Sequence, residues 1–302
     1  MTRKPTLKEW IFATRPWSFA TSAFPAVVVV AYMFCFKDSI GETIQWWHGA
    51  LSVLGTIIVH SGGNLMSDYF DFKHDVDRED RMGNSLLMMN RTFTPTQFLI
   101  YGLSCLFTGS VIGIYLFINT GWPLLAIGIL GIFGAIFYYK FKYIALGDFV
   151  IFVIYGPLIM LGTAYAMTSQ LSWQIGLLSL PIALMSVNIL HANNTRDIEN
   201  DGRAGIRTLA MNVGRSCSVT LYKGYIYCAY VMLIVYTAIG ILPPLSLITL
   251  ATYPIARANM KMATLLHTEG KEGIRQLDTH SAKFQMMLCL SLSLSLIISF
   301  WL

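Results

Sequence analysis

Apolar runs long enough to cross about 30 Å of hydrocarbon, which takes roughly 20 helical residues, recur from one end of this chain to the other. Only 12% of the 302 residues are charged and 55% are hydrophobic, against roughly a quarter charged in an ordinary soluble domain. These runs leave no room for a soluble domain between them. The pattern predicts an all-α, polytopic membrane protein of nine transmembrane helices, read as one transmembrane domain over residues 1–302. The spans are placed at 17–36, 47–66, 97–118, 122–139, 147–167, 173–191, 219–241, 244–265 and 284–302. The first follows Arg15-Pro16 without a small-residue cleavage pattern, so it is read as a retained span rather than a signal peptide. Five scattered cysteines form no C-x-x-C pair and are read as packing residues.

The basic residues set the expected orientation, because cytoplasmic loops collect Lys and Arg. Across these spans, twenty of the twenty-one fall on one side and only Lys37 falls on the other. The net charge of +5 is therefore assigned to topology, not to nucleic acid. The N-terminus and the long polar loops are expected on the cytoplasmic face of a cell inner membrane. Connections on the far side are short, such as Asn119-Thr120-Gly121 and Leu242-Pro243, so chemistry belongs on the near side.

Two acid-rich segments end the second and sixth spans. The first reads NLMSDYFDFKHDVDRED, and its Asp68, Asp71 and Asp75 recur at spacings of three and four, which puts them on one helix face with Asn64 one turn before. The second reads NNTRDIENDGRAGIRTLA, where Asn193, Asp197 and Asp201 step by four. Their equivalent positions suggest two pseudo-repeated halves of four helices plus a ninth, with the acids meeting at the repeat interface. Carboxylates gathered at a membrane edge call for neutralisation and usually mark a functional site. Hard oxygen donors with few His or Cys ligands favour Mg²⁺ bound together with a diphosphate.

Nearby Arg78, Arg81, Arg196 and Arg207 suit a bidentate clamp on phosphate oxygens. The aromatic residues Tyr69, Phe70, Phe72, Tyr138, Tyr139, Phe149 and Phe152 are available to face a carbocation, although packing or an interfacial belt is the ordinary reading of any one of them. His74 and His191 stand where proton transfer is conceivable, yet a satisfied polar residue at a helix end is the ordinary reading of each.

These segments, with ATRPWSFATSAFPAVVV and ALGDFVIFVIYGPLIMLGTAY, resemble the UbiA-type intramembrane prenyltransferases, and among them the 1,4-dihydroxy-2-naphthoate polyprenyltransferases of menaquinone biosynthesis. The likeness spans nearly the whole chain, and the second acid segment is its most specific part. It implies a nine-helix UbiA-type bundle around a central cavity with a lateral opening. The implied reaction is Mg²⁺-assisted transfer of a polyprenyl group from polyprenyl diphosphate to a small aromatic acceptor, with loss of the naphthoate carboxyl to give demethylmenaquinol. Carried over by position, Asn64, Asp68, Asp71 and Asp75 (or Asp77) would hold one Mg²⁺, and Asp197 and Asp201 with Asn193 the other. Asp68, Asp71, Asp197 and Asp201 would carry catalysis, while Arg78, Arg81, Arg196, Arg207, Lys140 and Tyr139 would contact substrate.

Three positions depart from the family pattern: Ser67 for an Asn, Ile206 for a Lys and Leu86 for an Arg. The last two remove cations that Arg91 or Lys140 would have to replace. Other acceptors, such as 4-hydroxybenzoate or homogentisate, stay open. From a different class, an ion-coupled secondary transporter also uses intramembrane carboxylates, but here the acids lie at helix ends beside arginines. A phospholipid head-group transferase would open its acid motif with D-G-x-x-A-R, which is absent.

Overall fold

The computed structural model describes residues 4–40, 43–73, 86–89, 92–203 and 205–302, and every regular element among them is helical. A short helix α1 (Leu7–Ala13) opens on a capping box in which Thr6 and Glu9 satisfy each other's backbone N–H groups. A 3₁₀ turn at Pro16–Ser18 leads into α2 (Phe19–Cys35). Next come α3 (Trp46–Lys73), the single turn α4 (Leu86–Met89), α5 (Pro95–Thr120) and α6 (Trp122–Lys142). The fifth span comprises α7 (Gly147–Val153), a π-helical turn at Ile154–Leu158 and α8 (Ile159–Thr168). It is followed by α9 (Trp173–Arg196), α10 (Ile198–Arg203) and α11 (Leu209–Ala238). The chain closes with a 3₁₀ segment at Pro244–Thr252, α12 (Tyr253–Thr264), the turn α13 (Gly270–Gly273) and α14 (Leu277–Ser299).

Among the described residues eight helical stretches are long and apolar enough to cross a membrane, which makes this a multi-pass membrane protein. The eighth span expected from sequence, 244–265, is helical in two pieces. Its 3₁₀ part gives way at Tyr253-Pro254 to an α-helix carrying Arg257 and Lys261. Proline at the second helical position suits an α-helix start, because its missing N–H would have no partner there.

Local sequence explains the boundaries. Thr94 caps α5, with Pro95 at its first position and Gln97 completing a capping box. Gly121, at φ 112°, makes the tight turn into α6 in a conformation that side-chain-bearing residues rarely adopt. α3 lies along α5, and glycines set how closely they approach. A methyl group on Gly62 would meet Leu106 Cγ at 2.8 Å, and one on Gly109 would collide with Val59 Cγ2.

α2, α9, α11 and α14 pack into the main core through Val28, Ile182, Ile226 and Leu288, all fully buried. By contrast α5 and α6 turn Phe107, Ile118 and Ile129 outward, as suits helices facing lipid. Between α3, α5, α6 and the fifth span lies a cavity of about 760 Å³.

Candidate functional site

The last two turns of α3 carry the first acid segment into the interior. Asp68 is 1% and Asp71 7% exposed, so each carboxylate needs a compensating partner. Asp68 pairs with the guanidinium of Arg15. Arg15 has left-handed backbone geometry (φ 58°, ψ 60°) immediately before Pro16, and its carbonyl is held by the N–H and hydroxyl of Ser18, both at 2.8 Å. Asp71 meets Lys142 Nζ at 3.7 Å and the Tyr143 hydroxyl at 3.5 Å, both from the end of α6. Asn64, one turn before Asp68, donates to the Thr14 carbonyl at 3.2 Å and to Ser18 Oγ at 3.1 Å, and it lines the cavity.

The second acid segment sits at the end of α9 and in α10. Asp197 receives two hydrogen bonds from Arg196, at 3.0 and 2.9 Å. Asp201 is 1% exposed, and its backbone carbonyl accepts the Ile206 N–H at 2.9 Å. The following loop joins the two halves: Arg207 N–H donates to the Tyr143 carbonyl at 3.4 Å, and Ala145 N–H donates to the Arg207 carbonyl at 2.7 Å. A continuous run of contacts thus links Asp71, Tyr143, Arg207, Ile206 and Asp201. Asn64 and Asn193 line the same cavity, and Tyr138, also on its wall, lies within electrostatic reach of Asp71 and Asp201.

Several expected residues are placed differently. Arg196 is committed within the protein, to Asn193, to Asp197 and across to Asp278 at the start of α14 (3.1 Å), with the Arg275 carbonyl as a further acceptor (3.1 Å). Its planar fork organises the second segment. Lys140 is exposed and rests over the Phe137 ring at 5.4 Å; the cation at Asp71 is Lys142, two residues on. Tyr139 stacks on Phe70 (4.1 Å between centroids, 17° between planes), and it is its neighbour Tyr138 that lines the cavity. Asp75, Arg78 and Arg81, with Asp77, His74 and Arg91, lie outside the described residues, as does the Leu86 side chain. Ser67 lines the cavity, and Ile206 is 1% exposed.

The buried carboxylate of Asp148 on α7 lies outside both acid segments and was not singled out from the sequence. His191 Nδ1 lies 3.0 Å from Asp148 Oδ2, and its Nε2 lies 3.1 Å from the Ser218 carbonyl and 2.9 Å from its hydroxyl. Asn194 donates to the other Asp148 oxygen at 3.1 Å. The network ties α9 to α7 and α11, one turn before the acids begin. His191 is thus a satisfied polar residue at a helix end, as its ordinary reading has it.

Among the described residues no three His, Cys, Asp or Glu side chains converge as a preformed metal cage would. The donor set nonetheless suits Mg²⁺, which takes one or two protein carboxylates per ion and fills its octahedron with water and substrate phosphate. Asn64, Asp68, Asp71, Asp197 and Asp201 offer hard oxygens, and the cations Arg15, Lys142 and Arg196 already hold the places where positive charge is required.

The profile of the UbiA prenyltransferase family matches residues 28–272. Among curated relatives, a "UbiA prenyltransferase domain-containing protein 1 homolog" of Drosophila melanogaster is 31% identical over 237 residues, covering 76% of this chain and 65% of the relative. The Homo sapiens "UbiA prenyltransferase domain-containing protein 1" is 28% identical over 237 residues, covering 74% and 66%. The chain therefore spans about two thirds of the length of these relatives. Among solved structures, a UbiA homolog from Aeropyrum pernix K1 superposes with a TM-score of 0.67 at 14% identity, covering 91% of this chain and 97% of that one. A homolog from Archaeoglobus fulgidus bound to GPP and Mg²⁺ gives 0.63 at 11% identity, covering 96% and 99%. Such low identities show the fold alone.

Proposed function

The chain belongs to the UbiA prenyltransferase family, and from that premise we propose that it transfers a polyprenyl group from its diphosphate to a small aromatic acceptor, using Mg²⁺ at the two acid segments. One observation carries the reading: Asn64 of the first segment and Asn193 of the second line a single cavity whose other walls are largely apolar. Such a cavity suits a molecule with a charged head and a long hydrocarbon tail. The ligands of the Archaeoglobus fulgidus homolog structures, GPP or DMAPP with Mg²⁺, are of that type.

The chemistry that Mg²⁺ would supply here is positive charge to neutralise the diphosphate as it leaves. Asp68 and Asp71 would hold one ion with Asn64, and Asp197 and Asp201 the other with Asn193. Lys142, Arg15 and Arg207 would add positive charge around the leaving group. In the transfer, the C1–O bond of the prenyl diphosphate breaks and the diphosphate keeps the electron pair. A ring carbon of the acceptor then bonds to C1. For a naphthoate acceptor, the carboxyl on that carbon leaves as CO₂ and returns its bonding pair to the ring. The apolar walls keep water from intercepting the allylic cation.

The likeness of the second acid segment favours 1,4-dihydroxy-2-naphthoate as acceptor and demethylmenaquinol as product. We place the acid-bearing end in the cytoplasm, on the strength of the Lys and Arg distribution.

Prenyl transfer by purified protein in detergent tests the reading, with geranylgeranyl diphosphate, dihydroxynaphthoate and Mg²⁺, beside Asp68→Asn and an EDTA control. Metal-dependent prenylated naphthoquinol, lost in the variant, is the expected result. Diphosphate release without that product would replace the acceptor, and no release with any acceptor would overturn the reaction class.

A further inference from the structure

The cavity carries one polar feature that the acid segments do not explain. His60 sits on α3 exactly one turn deeper than Asn64, about 6 Å further along the axis, and both line the cavity. Three other hydroxyls of the cavity wall are spent on their own helices: Ser52 donates to the His48 carbonyl, Thr56 to Val53 and Thr163 to Ile159, each at 2.8–2.9 Å. His60 instead pairs across helices, its Nδ1 lying 3.0 Å from Ser22 Oγ on α2.

One tautomer satisfies both contacts of Ser22 Oγ at once: its hydroxyl gives its hydrogen to the Phe19 carbonyl at 3.2 Å, and Nδ1 of the imidazole donates to Ser22 Oγ at 3.0 Å. In a neutral imidazole Nε2 then carries the lone pair. Nε2 has no protein partner among the described residues. Two aromatic rings frame the imidazole: Tyr155, from the π-helical turn, at 5.1 Å and 76°, and Phe19 at 6.4 Å and 62°.

A lone pair facing a membrane cavity needs a hydrogen-bond donor from the guest. An isoprenoid tail has none, whereas a phenolic ring has both the O–H and a flat face to lie against Tyr155. We propose that His60, with Ser22 and Tyr155, forms the subsite for the aromatic acceptor, in which Nε2 accepts a hydrogen bond from a phenolic hydroxyl of the ring. The deeper apolar part of the cavity is left for the isoprenoid. This assignment rests on the prenyl-transfer reading for its purpose, but its binding chemistry is measurable without turnover.

The test is equilibrium binding of 1,4-dihydroxynaphthalene and of its dimethyl ether to the full chain in detergent, without donor or Mg²⁺, followed by tryptophan fluorescence. His60→Phe keeps a ring and removes the acceptor atom; it is expected to weaken the diol about tenfold and leave the ether within about twofold. His60→Gln, whose amide oxygen still accepts, should recover part of the loss, and the KM for geranylgeranyl diphosphate should stay within about twofold in both variants. Diol affinity unchanged in His60→Phe, or equal losses for diol and ether, overturns the subsite. Should His60→Phe fail to fold, His60→Leu with the same ligand pair decides by the same criteria. Prenyl transfer with unaltered diol binding sinks the subsite alone, while His60-dependent diol binding without any diphosphate release sinks the transfer reading alone.

Discussion

The hydroxyl of Tyr143 lies 3.5 Å from Asp71 Oδ1, while the backbone carbonyl of the same residue accepts the N–H of Arg207 at 3.4 Å. One residue at the end of α6 therefore touches the first acid segment with its side chain and the loop behind the second with its main chain. Its side-chain contact is removable while the main-chain contact stays. Tyr143→Phe is expected to lower kcat/KM for prenyl diphosphate about threefold to tenfold, the worth of one modest hydrogen bond, with little change in thermal stability. Steady-state kinetics beside a melting curve in detergent reads both.

Lys142 is the cation at Asp71, and Lys140 two residues earlier points elsewhere. Replacing each by Ala separates their roles. Lys142→Ala should raise the KM for geranylgeranyl diphosphate about tenfold or more, and Lys140→Ala should stay within about twofold of wild type. Equal effects would mean that the register at the end of α6 is not the one described.

The acid segments should differ from their surroundings in metal response. Asp68→Asn and Asp201→Asn are each expected to lower turnover about a hundredfold and to shift the Mg²⁺ concentration for half-maximal rate upward. A magnesium titration at saturating donor measures the shift. Loss of rate with an unchanged titration midpoint would place the residue outside the metal-binding set.

Asp148 and His191 form a buried pair whose members cannot be removed singly without cost. Asp148→Ala deprives both His191 Nδ1 and Asn194 Nδ2 of their acceptor, so a loss of about 3–5 kcal/mol is expected. The double variant Asp148→Ala/His191→Leu should lose less than the two single variants added together. Thermal unfolding in detergent, run as a double-mutant cycle, gives the coupling.

The membrane-crossing pattern was legible because length and apolarity are local properties: a run such as 97–118 or 173–191 announces a span without reference to its neighbours. Which face of a helix end meets the site was not legible. Tyr138 and Tyr139 differ by about 100° around α6, and Lys140 and Lys142 by about 200°. Nothing in FYYKFK states the rotation of that helix against α3. Arg196 illustrates a second limit, since its partner Asp278 is 82 residues away and only the packing of α14 beside α9 brings them together. Arg15 was visible as the residue before Pro16, yet its pairing with Asp68 crosses 53 residues and carries no spacing signal. Ser22 and His60 are likewise joined only by the packing of α2 on α3.

The π-helical turn at Ile154–Leu158 sets the phase between the two halves of the fifth span. Pro157 cannot donate to the carbonyl four residues before it, and the wider turn accommodates that loss. On one side of the turn Asp148 must reach His191; within it Tyr155 must reach the cavity; beyond it Gly162 and Thr163 line the same wall. A regular α-helix would carry one residue fewer in that turn, so the widened turn takes up the surplus residue locally and keeps the two halves in the phase of an uninterrupted helix. Were the same residues wound as a regular α-helix, one half would turn against the other by about 100° and lose its neighbours.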